Sequence, residues 1–271
     1  MALDQPVAQV FRDAAYNNGA AVPSWSETFA RWTEQSAAIR ARHAATMDLA
    51  YGPGERTKID LFAGTKPDAP CLVYFHGGYW MRNGREMFAN LGEGVRAHGW
   101  SVAIPGYTLA PDATLREIVA ECEAALDWLE VNKARHGVTG PLIVAGWSAG
   151  GHLAAMTLAH HAVKAGLAIS GIFELAPLRD TYLDEKLKLE LSEIADLSPQ
   201  RRPVVMKPLT ITYGSEELPA LVANSVGFHA LRTRAGAPGD LKPVGGAHHF
   251  SVLEGLLKAD GDLTQMLLAL G

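Results

Sequence analysis

One serine lies in a setting that could make it a nucleophile. Ser148 is the central residue of Gly-Trp-Ser-Ala-Gly at residues 146–150, which matches the pattern G-x-S-x-G. A short apolar run at 141–145 precedes it and a helical pattern rich in small residues follows, so the sequence predicts a strand, a sharp turn and a helix. The glycines allow a strained turn that presents the hydroxyl beside the positive N-terminus of the helix. The competing interpretation is a fortuitous Gly/Ser turn without a chemical role.

A second segment could stabilise the negative charge that such a nucleophile creates. A buried, strand-like run leads directly into His-Gly-Gly-Tyr-Trp at residues 76–80. Glycines let backbone N–H groups turn inward, and each such donor to an oxyanion is typically worth ~10²–10³ in rate. We expect the N–H groups of Gly78, Tyr79 and Ala149 to form this oxyanion hole. His76 precedes the serine, so we expect it to hold the loop rather than to act as the catalytic base.

A carboxylate and a histidine follow the serine in the order that a catalytic triad on this kind of turn requires. The strand-like run at 209–213 ends in Gly-Ser-Glu-Glu-Leu-Pro, where Glu217 is our choice for the acid and Glu216 the alternative. Two adjacent carboxylates cannot both face one site. His249, which directly precedes an apolar run, is our choice for the base, and His248 is the alternative.

Patterns for other chemistry are missing from the sequence. It contains no H-E-x-x-H, no paired C-x-x-C and no phosphate-binding G-x-x-x-x-G-K-[ST]. The two cysteines, Cys71 and Cys122, occur in an apolar run and a helical pattern, as buried small hydrophobic residues do. We therefore expect neither a metal nor a cofactor.

Alternating strand-like and helical segments must position these residues. Strand-like runs fall at 58–62, 71–75, 100–104, 141–145, 166–170, 209–213 and 242–244. Helical patterns fall at 91–98, 114–136, 150–161 and 250–270. One more follows the strand-like run at 209–213 and reaches about residue 234. Such alternation predicts an α/β fold with a mostly parallel central sheet and helices on both faces.

The first part of the chain lacks the alternation of strand-like and helical segments. Residues 1–45 are helical in pattern and predict an N-terminal helical extension that packs on a single domain, 46–271. Ser24 and Glu27 have the spacing of a capping box at the start of a helix that reaches about residue 43. One face of that helix carries Trp25, Phe29, Trp32 and Ile39. A charged helical segment, 174–200, is either a cap over the site or a solvated surface helix, and the sequence leaves both open.

Composition excludes several classes of protein. The chain has 271 residues, a formal net charge of −5, 48% hydrophobic residues and 20% charged residues. The negative charge argues against a nucleic-acid partner, and the apolar content argues against intrinsic disorder. No apolar run approaches the ~20 residues that cross a bilayer, and the N-terminus does not resemble a signal peptide. We expect a cytoplasmic protein without membrane association; the oligomeric state stays open, a homodimer included.

These motifs together resemble a known family. HGGYW, GWSAGG, Tyr-Thr-Leu-Ala-Pro at 107–111 and the late His-His-Phe resemble α/β-hydrolases of the hormone-sensitive-lipase-like group. HGGYW in place of HGGG narrows the resemblance to the kynurenine formamidase (arylformamidase) branch, as do the segments 170–175, 197–199 and 214–219. The resemblance covers nearly the whole chain. It implies the α/β-hydrolase fold and the triad Ser148, Glu217 and His249, although many relatives carry Asp at the position of Glu217.

The resemblance also implies a reaction. The expected activity is hydrolysis of small aryl formamides, with N-formylkynurenine of tryptophan catabolism as the lead substrate. The aromatic leaving group would lie against Trp80 and Trp147. One alternative is a carboxylesterase for short acyl esters, which uses the same residues. The other is a non-catalytic binding protein on a hydrolase fold, which the complete set of catalytic residues disfavours.

Overall fold

Eight strands form one central sheet in the described part of the chain. The computed structural model describes the backbone of residues 5–271 and the side chains of residues 8–44 and 46–271. The strands are β1 Leu49–Ala50, β2 Lys58–Phe62, β3 Cys71–Phe75, β4 Ser101–Pro105, β5 Leu142–Trp147, β6 Val163–Ile169, β7 Leu209–Gly214 and β8 Leu241–Val244. Their order in the sheet is β1-β2-β4-β3-β5-β6-β7-β8.

The sheet is mostly parallel. The pairs β1–β2 and β2–β4 are antiparallel, and every other pair is parallel. The carboxyl ends of parallel strands meet at one edge of a sheet, which is where open α/β folds bind their ligands. The loops after β3, β5, β6 and β7 therefore converge on the same side of the molecule, and the predicted α/β class is confirmed.

Helices cover both faces of the sheet. They are α1 Gln5–Ala14, α2 Asn18–Ala21, α3 Trp25–Arg42, α4 Glu93–Arg96, α5 Leu115–Asn132, α6 Ala149–Thr157, α7 Asp184–Leu187, α8 Leu191–Leu197, α9 Pro219–Arg234 and α10 Asp262–Leu268. Side chains alternate between the faces along β3: Val73 belongs to an apolar cluster with Leu126 of α5, and Leu72 to one with Trp32 of α3. Within residues 5–271, no helix combines the length and apolarity needed to span a membrane.

The predicted strands lie within a few residues of the observed ones, and the helices differ more. The pattern at 91–98 yields only the four-residue α4 after a 3-10 turn, and the pattern at 250–270 is interrupted before α10. In the turn before α10, a Cβ on Gly261 would lie 2.3 Å from the carbonyl oxygen of Gly255, so this close approach requires glycine. The Ser24 hydroxyl makes no capping bond; its backbone carbonyl accepts from the Glu27 N–H instead.

The N-terminal extension packs on the rest of the chain. Phe29, Trp32 and Ile39 of α3 are buried in the cluster on one face of the sheet. Residue 45 as a domain boundary stays a prediction.

The extension also contacts segment 174–200. The Gln9 side chain of α1 donates a hydrogen bond to the carbonyl of Asp180, and the Asp13 carboxylate accepts one from the Tyr182 N–H. Segment 174–200 contains α7 and α8 and buries several apolar side chains, so it is not a solvated surface helix. The two parts of the chain therefore meet on one side of the molecule.

Candidate active site

Ser148 occupies a strained turn between β5 and α6. Its backbone has φ 58° and ψ −118°, a left-handed conformation that costs a non-glycine residue free energy. The Ser148 N–H donates to the carbonyl of Ile169 at 2.8 Å, and the Ser148 carbonyl accepts from the His152 N–H at 3.1 Å. These bonds hold the serine in place at the start of the helix.

The glycines of the G-x-S-x-G pattern are required by close backbone contacts. A Cβ on Gly146 would lie 2.1 Å from the carbonyl oxygen of Gly150, and a Cβ on Gly150 would lie 1.9 Å from that of Phe75. Both distances are far shorter than the non-bonded contacts that a Cβ makes with an oxygen atom in proteins. The packing of this turn therefore requires both glycines of the pattern.

Glu217 and His249 are neighbours in the buried part of the site. His249 Nδ1 lies 2.8 Å from Glu217 Oε2, and both side chains are almost completely buried. The other carboxylate oxygen accepts from the Ser170 hydroxyl and, at 2.7 Å, from the Gly214 N–H. Burial alone would raise the pKa of Glu217, but the attraction of His249 and these hydrogen bonds outweigh it and lower the pKa.

The alternative residues lie elsewhere. Glu216 is exposed. His248 Nδ1 accepts hydrogen bonds from the N–H groups of Phe250 and Ser251, which engages it in the turn after the site. The structure thus brings Glu217 and His249 together, and neither alternative joins them.

The loop at 76–80 has an unusual backbone. Gly78, Tyr79 and Trp80 are three successive residues with positive φ, at 119°, 50° and 56°. The loop is closed by a hydrogen bond from the Arg82 N–H to the Gly78 carbonyl at 3.0 Å. In the described residues, no acceptor takes up the N–H groups of Gly78, Tyr79 or Ala149. Unpaired N–H groups beside a serine are what an oxyanion hole requires.

His76 supports this loop from below. Its ring stacks on Tyr107 at 4.2 Å, and its Nδ1 donates to the Gly77 carbonyl at 2.9 Å. The Tyr107 hydroxyl donates in turn to the His76 carbonyl. Burial lowers the pKa of His76 to about 3, so its imidazole is neutral near pH 7. These contacts agree with a loop-holding residue.

The two tryptophans have different positions. Trp147 lines the cavity at Ser148, and its indole N–H donates to the His249 carbonyl at 2.8 Å. Trp80 is fully buried, with its ring edge-on to His152 at 5.0 Å, and it does not reach the cavity. Trp80, which was expected from the sequence to bind substrate, thus lies outside the cavity lining: its side chain is packed into the core beneath the loop.

A cavity of about 220 Å³ joins these residues. Ser148, His249, Gly78 and Tyr79 all line it. Its remaining lining is Asn17, Asn18, Gly19, Trp25, Phe29, Arg82, Asn83, Trp147, Tyr182 and Phe250. No Ser148–His249 hydrogen bond occurs between the described residues, and in unliganded sites such bonds often tighten only when substrate binds.

Sequence reasoning did not assign the wall built from residues 17–19 or from Tyr182. The only signal was a polar break, Tyr-Asn-Asn-Gly, between two helical patterns. Ser170, which donates to Glu217, was also missed; it is the last residue of the strand-like run at 166–170 and directly follows the observed β6. Over residues 5–271, no group of three or more His, Cys, Asp or Glu side chains is arranged to hold a metal ion.

Comparisons with known proteins agree with this geometry. The α/β-hydrolase fold family matches residues 72–210. The kynurenine formamidase of Danio rerio is 29% identical over 238 residues, which cover 82% of this chain and 80% of that protein. Esterase LipC of Mycobacterium tuberculosis is 30% identical over 122 residues, 42% of this chain and 30% of that protein.

A solved structure extends the similarity to three dimensions. A candidate thioesterase from a Silicibacter species superposes with a TM-score of 0.84 at 28% identity, covering 94% of this chain and 98% of that chain. The chain is thus a hydrolase similar to formamidases and esterases. It belongs to the α/β-hydrolase fold family, in the hormone-sensitive-lipase-like group, and is kynurenine formamidase-like.

Proposed function

We propose that this protein hydrolyses small aryl formamides through a Ser148–His249–Glu217 triad and a formyl-enzyme, with N-formylkynurenine as the lead substrate. One observation carries the proposal. Ser148 and His249 line one cavity, and His249 Nδ1 lies 2.8 Å from the buried carboxylate of Glu217. The relatives named kynurenine formamidase support the choice of substrate.

The first half of the reaction forms the acyl-enzyme. A carboxylate only accepts hydrogen bonds, so His249 carries its proton on Nδ1 and leaves Nε2 free as a base. Nε2 takes the Ser148 proton as Oγ bonds to the formyl carbon, and the carbonyl electron pair moves to oxygen. The N–H groups of Gly78, Tyr79 and Ala149 stabilise that oxyanion. The C–N bond then breaks, and His249 gives its proton to the departing arylamine.

The second half releases formate. Water loses a proton to His249 Nε2 and adds to the formyl carbon, and the oxyanion forms again at the same N–H groups. Its collapse breaks the bond to Ser148 Oγ, His249 returns the proton to the serine, and the formic acid that leaves loses its proton to water to become formate. Each step conserves atoms and charge, and the side chains that exchange bonds or protons, Ser148 and His249, both line the cavity.

The cavity wall favours an aromatic leaving group. Trp25, Phe29, Trp147 and Phe250 all line it, and their rings pack against each other at centroid distances between 5.5 and 6.1 Å. Aromatic side chains bind aromatic ligands through buried apolar area and ring contacts. A formyl group adds only a hydrogen beyond its carbonyl, so the acyl part of the substrate needs almost no space.

The test is formate release from N-formylkynurenine by the purified protein, compared with a series of 4-nitrophenyl esters of rising chain length. We expect the formamide to be turned over, and Ser148→Ala to reduce kcat by at least ~10⁴ while the fold is kept. Negligible formamide turnover beside rapid ester cleavage would replace this proposal with the carboxylesterase. Absence of fluorophosphonate labelling at Ser148 in folded protein would favour a non-catalytic binding protein.

A further inference from the structure

The cavity contains one permanent formal charge among the described residues. Arg82 lines it, and no aspartate or glutamate does. Apart from the imidazole of His249, the other lining side chains are neutral at pH 7. A cation without an opposing carboxylate in a partly enclosed site attracts anions.

Arg82 also differs from the arginines around it. Arg56 donates hydrogen bonds to the carbonyls of Tyr107 and Asn83, and Arg85 forms a buried ion pair with Asp60. Arg82 is exposed, and no ion pair or side-chain hydrogen bond of the described residues involves its guanidinium. Its neighbours thus use their charge to hold the fold, and Arg82 keeps its charge available.

The backbone fixes where the Arg82 side chain leaves the main chain. The Arg82 N–H donates to the Gly78 carbonyl, so Arg82 is tied to the loop that carries two of the proposed oxyanion donors. Across the cavity, burial raises the pKa of Tyr182, and the positive charge of Arg82 opposes that shift. The carboxylate of Asp13, whose Oδ1 accepts hydrogen bonds from the Tyr182 N–H and the Gln9 side chain, does not line the cavity.

We propose that Arg82 determines substrate specificity by binding a carboxylate on the leaving-group part of the substrate. This rests on the proposed formamide hydrolysis and narrows it to aryl formamides whose arylamine carries a side chain with a carboxylate. A formyl group cannot bear a charge, so the anion must belong to the amine. The planar guanidinium binds a carboxylate through two parallel N–H···O bonds, an arrangement that the ammonium group of lysine cannot reproduce.

The direct test compares N-formylkynurenine with its carboxamide analogue, which has the same ring, formamide and amino group but no carboxylate. We expect the ratio of their kcat/KM values to fall by about tenfold or more in Arg82→Gln, mostly through KM, and by less in Arg82→Lys. Arg234→Gln, which alters an exposed arginine outside the cavity, is the matched control and should keep the wild-type ratio. An unchanged ratio in Arg82→Gln would overturn the proposal.

A second measurement separates this inference from the reaction assignment. Hydrolysis of 4-nitrophenyl acetate is inhibited by 4-oxo-4-phenylbutanoate or by its amide, and the two inhibition constants are compared. We expect the carboxylate to inhibit the wild-type protein better, and the difference to vanish in Arg82→Gln. That result would support the anion site even if no formamide were cleaved. Equal inhibition of the wild-type protein by both compounds would contradict the proposed anion site at Arg82, even if formamides were cleaved.

Discussion

At the scale of single residues, Glu216 and Glu217 show how little of a side chain's role follows from its type. They are adjacent and chemically identical, yet one is exposed and the other is buried against His249, Ser170 and Gly214. The sequence predicted Glu217 because the order of the residues and the end of a strand limit the choice to this loop. Ser170 could not be predicted, because its contact with Glu217 joins residues 47 positions apart.

Glu216 and Glu217 provide a matched test of which carboxylate acts as the proposed acid of the triad. We expect Glu217→Gln to lower kcat by ~10²–10⁴, because an amide cannot stabilise the imidazolium and favours the wrong tautomer of His249. Glu216→Gln removes an exposed carboxylate one residue away and should remain near the wild-type rate. Steady-state kinetics on one substrate would decide. A comparable loss in Glu216→Gln would transfer the acid role to that residue.

At the scale of elements, the close approach of β3, β5 and α6 determines where Ser148, the proposed nucleophile, lies. The strands were predictable because each is a short apolar run bounded by turn residues. β1 was missed because two residues carry no periodicity. The helical patterns at 91–98 and 250–270 were overestimated because chain reversals and 3-10 turns bury the same apolar residues as a helix would.

Gly150 tests the packing of these elements. We expect Gly150→Ala to destabilise the protein by several kcal/mol or to prevent folding, because its Cβ would lie 1.9 Å from the carbonyl oxygen of Phe75. Gly245→Ala is the control: no atom lies within 4 Å of its added Cβ. Urea unfolding of both variants provides the comparison. Wild-type stability in Gly150→Ala would contradict the steric account.

Tyr79 links the loop at 76–80 to the N-terminal extension. Its hydroxyl donates to the Tyr16 carbonyl at 2.7 Å and accepts from Asn18 Nδ2 at 3.3 Å. We expect Tyr79→Phe to cost about 1–3 kcal/mol, because it leaves two buried polar groups unpaired. KM should rise, because residues 17–19 form one wall of the cavity. Thermal unfolding and steady-state kinetics measure the two effects, and an unchanged KM would show that this wall does not contact substrate.

At the scale of the whole molecule, two buried histidines make stability depend on pH. Burial lowers the pKa of His76 to about 3 and that of His152 to about 4, from the ordinary value of 6.5. At pH values between the lowered pKa of each histidine and 6.5, the unfolded chain binds more protons than the folded chain. The stabilisation is therefore complete above about pH 6.5 and is lost as pH falls toward the folded pKa values, by up to about 1.4 kcal/mol per pH unit for each histidine.

Urea unfolding at pH 7.5, 6.0 and 5.0 measures this dependence. We expect the free energy of unfolding to fall over that range. In His152→Gln, the slope of this free energy against pH should be smaller by an amount that corresponds to about one proton. His161→Gln, which alters an exposed histidine, should retain the wild-type slope. An unaltered slope in His152→Gln would show that His152 does not contribute.

The cavity is complete only when its N-terminal wall has packed onto the rest of the chain, and this sets an order of events during folding. That wall consists of residues 17–19, Trp25 and Phe29. Five of the seven strand pairs join strands that are consecutive in the chain, whereas the contact from Gln9 to Asp180 closes a loop of 171 residues. Long loops are the slowest to close. During refolding the sheet should therefore regain its circular dichroism before substrate can be turned over. During synthesis, helices that leave the ribosome early wait for partners made much later, so catalytic activity reports that the last long-range contact has formed.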